Sequence, residues 1–148
     1  MPPEYSGGTI LYQTYFFSFS HFWLATPQLV LQADSLMRLS YQRKVREMKQ
    51  WSETLAGMGR ERQKHFLTFS QRLIRENFMY NFHQPELTYL SVEEKNFSSR
   101  FAPFINERNV IGIMNELSEA QRHIEQNVNA KMVFFDFALK MIVLLVQK

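Results

Sequence analysis

The chain contains no cysteine, and it has only five glycines and five prolines among its 148 residues. Without cysteine there is no disulfide framework and no thiolate zinc site, a composition that fits a reducing compartment. Glycine and proline are the strongest interruptions of regular structure, and long stretches of this chain lack both. The length suits a single domain with a sizeable hydrophobic core.

Charged residues are absent from residues 5–33, where aromatic side chains are frequent. No positively charged region precedes this stretch, as a signal peptide would require. Polar residues dilute it and Pro27 interrupts it, whereas a membrane-spanning helix needs about 20 mainly apolar residues. We therefore expect no membrane partner, and we separate residues 1–33, an aromatic N-terminal segment, from a helical domain over residues 34–148. A membrane-tethered protein that uses the aromatic segment is the alternative.

Patterns that carry catalysis are also lacking. There is no glycine-rich phosphate loop, and the pair Gly57 and Gly59 is typical of a helix end. No histidine stands at metal-ligand spacing from another histidine or a carboxylate, and no nucleophile elbow is present. The sequence predicts no catalytic residue, no cofactor and no metal site, and we expect that the chain is not an enzyme and does not hydrolyse ATP.

Helical signals begin at Thr26, a good N-cap, followed by Pro27 at the first helical position. Apolar residues then recur at helical spacing in three stretches. These are Val30, Ala33, Met37 and Tyr41; Val45, Met48, Trp51 and Leu55; and Phe66, Phe69, Leu73 and Ile74. No glycine or proline separates the first two sets, so they form either one helix or two. The third set predicts a helix from about Glu61.

The second half of the chain carries several capping signals. Ser91 and Glu94 form a capping box for a helix that should run to about Phe101. Asn106 is expected to cap the next helix, and Asn129 is expected to cap the last one. The fold class is therefore all-α, an antiparallel bundle of five or six helices joined by short loops.

The final helix is too apolar to stand alone. Its polar stripe is Asp136 and Lys140, an i,i+4 pair in the favourable order. A helix that is apolar nearly all round must be enclosed, and five or six helices can cover only part of it. We expect it to serve both the core and a contact with another subunit. The interface candidates are Phe134, Phe135, Phe137, Met141, Leu144 and Leu145.

Positive charge is concentrated in residues 34–75, which hold ten lysines and arginines against four acids. Such a segment is either a solvated helix face or a surface that follows a phosphate backbone. The residues that could face DNA are Arg43, Lys44, Arg46 and Lys49. Tyr41 and Trp51 are interpreted as core or interface residues and not as base-stacking platforms.

Several segments together resemble the C-terminal helical domain of a bacterial DNA polymerase III clamp-loader subunit of the delta-prime type, most of all versions from the Bacteroidetes lineage. In that domain an Asn-x-Asn turn leads into a final apolar helix, as Asn127 to Leu145 would here. The other similar segments are Leu36 to Tyr41, Trp51 to Lys64, Leu73 to Phe78 and Phe101 to Asn106.

The resemblance covers roughly residues 34–148 and implies a collar-like domain. In that family five such domains form a closed helical collar, which holds the ATPase modules that load the sliding clamp on primed DNA. The implied role is an oligomerisation module in DNA replication, cytoplasmic, with other clamp-loader subunits as partners and only weak or indirect contact with DNA. No segment of this chain corresponds to the ATPase domain of that family. The alternative function is a basic, nucleic-acid-binding helical domain.

Overall fold

A computed structural model describes residues 28–81 and 92–147, and within these ranges the chain forms helices joined by turns, with no strand. The first helix, α1, occupies residues 28–42. The helices that follow are α2 (Val45–Ala56), α3 (Arg60–Tyr80), α4 (Val92–Phe101), a short 3-10 helix (Ala102–Phe104), α5 (Val110–Glu125) and α6 (Ala130–Leu145). The expected all-α class is confirmed, with six α-helices in the described residues.

The helical conformation is interrupted between α1 and α2 at Arg43, although neither glycine nor proline occurs there. Arg43 has a positive φ of 57°, in the left-handed region that non-glycine residues seldom adopt. The amide of Lys44 donates to the carbonyl of Leu39 across the turn, at 3.0 Å. The two apolar sets at the start of the chain therefore lie on two helices. The second helix ends before Gly57, as the glycine pair predicts.

Four helices form the body of the bundle, with α2 against α6, α6 against α5 and α5 against α3. These neighbours are antiparallel. Lys131 at the start of α6 forms an ion pair with Glu53 near the end of α2, at 3.1 Å. Arg60 at the start of α3 donates to the carbonyl of Glu125 at the end of α5, at 2.8 Å.

The core is centred on three aromatic rings from three helices. Trp51 of α2 lies edge-on to Phe66 of α3 and to Phe134 of α6, with ring centroids 6.0 Å apart in each pair. Phe66 and Phe134 also contact each other, at 6.2 Å. Edge-to-face pairs of this kind add to the stabilisation that comes from burial alone.

Helix α1 places Leu29, Val30 and Ala33 in the same core, each 7% exposed or less. The backbone carbonyl of Gln32 also accepts a hydrogen bond from the indole N–H of Trp51, at 3.1 Å. The boundary that the sequence suggests at residue 33 therefore falls inside a helix, because a charge-free composition does not stop residues 28–33 from packing on the bundle.

Asparagine side chains accept hydrogen bonds from backbone amides just before α5 and at the start of α6. Asn129 caps α6 as expected, accepting from the amide of Met132 at 3.4 Å. Asn106 lies one turn before α5: its side-chain oxygen accepts from the amides of Arg108 and Asn109, and the N-cap residue is Asn109. The capping box at Ser91 lies outside the described residues.

The turn that contains Asn106 and Asn109 also holds the C-terminal end of α6. Asn109, fully buried, donates from its side-chain nitrogen to the carbonyls of Phe104 at 2.7 Å and Leu144 at 3.1 Å. Asn106 donates likewise to the carbonyl of Gln147, at 2.8 Å. At this end α5 and α6 are also in close contact, since a Cβ added at Gly112 would lie 2.7 Å from Cδ2 of Leu144.

Candidate interaction surfaces

Most of the interface candidates on α6 lie in the core of their own chain. Phe134, Phe137, Met141 and Leu145 are between 0% and 6% exposed and belong to the hydrophobic cluster. Phe135 and Leu144 are only half-buried and pack at the margin of that cluster. The first four are thus enclosed by α2, α3 and α5, and an outside partner has no access to them in the folded chain.

An apolar surface nevertheless remains on the solvent side of α6. Met132 is 68% exposed and Val143 is 60% exposed. Phe135 and Leu139, at helical spacing between them, are half-buried. We call these four residues the α6 outer face. Exposed apolar side chains arranged in a stripe, unlike scattered ones, are typical of a contact surface.

The polar pair expected on α6 flanks this face. Lys140 lies 2.9 Å from Asp136 on the same helix and 3.2 Å from Glu116 on α5. Hydrogen bonds to Asp136 and then to Glu116 raise the pKa of Lys140 above its ordinary value of 10.5. The ammonium therefore stays charged at neutral pH, bridging α6 to α5 at the edge of the apolar stripe.

The cations of residues 34–75 differ in their partners. Four are engaged within the chain: Arg38 pairs with Asp34 at 2.9 Å, Arg60 donates to the carbonyls that end α5, Lys64 pairs with Glu61 at 3.4 Å, and Arg72 pairs with Glu94. Within the described part of the chain, the cations that face solvent around the α1–α2 turn form no ion pair. These are Arg43, Lys44, Arg46 and Lys49.

The two aromatic residues of this region have opposite environments. Trp51 is 5% exposed and lies in the core, which is one of the two positions, core or interface, that the sequence suggests. Tyr41 is 60% exposed, and its ring is tilted against that of Phe104, with the centroids 4.9 Å apart. Tyr41 is therefore a solvent-facing ring beside the unpaired cations and not a core residue.

Sites for small ligands are not evident in the described residues. A cavity of about 20 Å³ lies between α1, α3, α4, α5 and α6 and is lined almost wholly by apolar side chains. It has room for roughly one water molecule. No group of three or more histidine, aspartate or glutamate side chains in residues 28–81 and 92–147 could hold a metal ion. Of the four histidines, His21 and His83 lie outside those ranges.

No helix within the described ranges combines the length and the apolar character needed to cross a membrane.

In comparisons with known proteins, no family model, no curated protein and no solved structure matches this chain.

Proposed function

We propose that this chain is an oligomerisation module that acts in DNA replication, of the collar type found in clamp loaders of bacterial DNA polymerase III. The proposal combines the sequence resemblance with one structural observation, the α6 outer face. A collar is a ring of helical domains that hold one another through their sides. Each member needs a rigid bundle and an apolar surface left over after its own core is complete.

The bundle supports this role because its core is complete without Met132 and Val143, the two exposed residues of the α6 outer face. The rings of Trp51, Phe66 and Phe134 fill the space between α2, α3 and α6. Met132 and Val143 face away from them, so a partner could cover both without disturbing the fold. Lys140 and Asp136, at the edge of the stripe, would add polar contacts at the rim, where charged groups are found in protein interfaces.

The test replaces both exposed residues with charged ones, as Met132→Glu with Val143→Glu, in the full chain. Binding to purified bacterial clamp-loader subunits is measured by co-sedimentation, and folding by thermal melting. We expect unchanged melting and loss of association. The matched control is Val92→Glu on α4, because Val92 is 72% exposed and lies outside the α6 outer face.

The control variant should associate as the wild type does. The proposal is wrong if the wild-type chain does not associate with any clamp-loader subunit. It is equally wrong if the double variant, still folded, associates as well as the wild type.

A further inference from the structure

The structure gathers positive charge on one continuous surface that extends beyond the basic segment of the sequence. Arg100 of α4 lies 2.8 Å from Asp34 of α1, and Arg38 lies 2.9 Å from the other oxygen of the same carboxylate. The Asp34 side chain is only 8% exposed, whereas the two arginines are 56% and 55% exposed. One buried acid thus holds two solvent-facing guanidinium groups, and this cluster keeps a net positive charge.

This cluster is continuous with the cations at the α1–α2 turn. Asp34, Arg38 and Tyr41 follow one another at i, i+4 and i+7, so they lie along one side of α1. That side ends at the turn formed by Arg43 and Lys44. Arg46 and Lys49 continue at i,i+3 spacing on α2. We call the resulting surface the basic strip, and its cations are Arg38, Arg43, Lys44, Arg46, Lys49 and Arg100.

Few acids oppose these six cations. Asp34 is engaged by two of them, and Glu47 is the exposed acid within the strip. Glu53, on the next turn of α2, is paired with Lys131 at 3.1 Å. A positive surface with an exposed ring at its centre matches a single-stranded nucleic acid, whose phosphates need cations and whose unpaired bases stack on aromatic faces.

We propose that the basic strip binds the phosphate backbone of single-stranded nucleic acid and that Tyr41 stacks against a base. An anionic membrane is less suited to this surface. Helices that lie on membranes insert an apolar face, and the apolar face of α2, formed by Met48, Trp51 and Leu55, is buried in the core. This inference goes beyond the proposed collar role and holds whether or not the chain joins a collar.

The test measures binding of the full chain to fluorescein-labelled oligo(dT) by anisotropy over a range of salt concentrations. One variant carries Arg43→Gln, Lys44→Gln, Arg46→Gln and Lys49→Gln. Its control carries Arg62→Gln, Arg75→Gln, Lys95→Gln and Arg108→Gln. The control loses the same charge from four exposed cations that lie outside the strip and form no ion pair in the described residues.

For the wild type, the logarithm of affinity should fall linearly with the logarithm of salt concentration. Each lost phosphate contact on a single strand makes that slope shallower by about 0.7, so the strip variant should lose roughly 3 in slope. The control should keep the wild-type slope. Equal weakening in both variants would show that only general charge attracts the strand, and the proposal would be overturned.

The stacking role has its own test. Tyr41→Ala should weaken oligo(dT) binding roughly tenfold, whereas Tyr41→Phe should bind like the wild type, since it keeps the ring. Because Tyr41 contacts Phe104, melting curves of both variants are needed to check that they remain folded. An unchanged affinity for Tyr41→Ala, tighter binding to a duplex of equal length, or binding to phosphatidylserine vesicles but not to oligo(dT) would each overturn the proposal.

Discussion

Arg72 of α3 and Glu94 of α4 form a bidentate ion pair, with 2.5 Å from Nη2 to Oε1 and 3.3 Å from Nη1 to Oε2. The Glu94 side chain is only 3% exposed, so its charge depends on protein groups instead of water. The same guanidinium lies 5.5 Å from the centroid of the Phe69 ring. This pair links α4 to α3, as does the buried hydrogen bond that Ser98 donates to Asn77.

Removing the charge of Arg72 alone should therefore destabilise the fold. We expect Arg72→Met to lower the free energy of unfolding by about 3 kcal/mol, because a nearly buried carboxylate loses the guanidinium that forms two hydrogen bonds with it. The double variant Arg72→Met with Glu94→Leu should recover much of that loss. Urea unfolding curves measure both. A double variant that is less stable than Arg72→Met would contradict this account of the pair.

The two faces of α6 should respond differently to truncation. Phe134→Ala should cost about 3–5 kcal/mol, since it opens a cavity beside Trp51 and Phe66. Met132→Ala should change stability by less than about 0.5 kcal/mol, because Met132 is 68% exposed. Chemical denaturation of the two variants provides the comparison. A similar cost at both positions would mean that the solvent side of α6 is covered.

The glycines after α2 make a matched pair. Gly59 has a φ of 91° and no side chain within reach of an added Cβ, whereas Gly57 has a φ of −80°. Gly59→Ala should cost about 1–2 kcal/mol through backbone strain alone. Gly57→Ala should be neutral or stabilise by up to about 1 kcal/mol, because its conformation suits any residue. Thermal melting of both variants would show whether the difference has the expected sign.

Residues 28–33 should be part of the folding unit. A chain that begins at residue 34 loses Leu29 and Val30 from the core, and each buried side chain of this kind contributes about 1.5–3 kcal/mol. It also loses the carbonyl acceptor for Trp51. We expect it to be less stable than a chain that begins at residue 28 by about 3–6 kcal/mol. Equal melting temperatures for the two truncated chains would show that α1 can start at residue 34 without loss.

Glu119 gives a prediction for acid conditions. A hydrogen bond from Arg122, together with its charge, lowers the pKa of Glu119 below its ordinary value of 4.5. A lowered pKa in the folded state stabilises the fold above the unfolded-state pKa, and this contribution disappears as pH falls through the folded-state pKa.

Glu119→Gln should therefore melt at a slightly lower temperature than the wild type at pH 7 and at the same temperature well below pH 4.5. The pair is exposed, so the gap at pH 7 should shrink as salt is added. Arg122→Gln provides the companion measurement, since it removes the same interaction from the other side. A gap that persists in acid would mean that Glu119 stabilises the fold in another way.

Local sequence patterns predicted the parts of this fold that depend on neighbouring residues. The stripe on α3 and the cap at Asn129 arise from side chains three or four positions apart, and the structure confirms them. The break at Arg43 has no local signal, because arginine is not a helix breaker. Which side of α6 faces the core was equally hidden, since an almost wholly apolar helix has no distinct polar side.

The positions of the surface cations were also predictable from the sequence only in part. Arg43, Lys44, Arg46 and Lys49 are close in sequence, so their concentration of charge is visible without a structure. Arg100 is 66 residues from Asp34, and only the packing of α4 on α1 brings it to the basic strip. The engagement of Arg60 with the end of α5 likewise joins residues far apart in the chain.

The amide of Asn109 gives α6 a fixed axial position. Apolar contacts are not directional, so an apolar helix could shift along its neighbours by a residue or a turn at a moderate cost in free energy. The carbonyl of Leu144 accepts from Asn109, which has no exposure to water, and a slipped helix would leave that donor buried without its acceptor. The spacing of the apolar residues offered to solvent along α6, from Met132 to Val143, is thereby held in a single register.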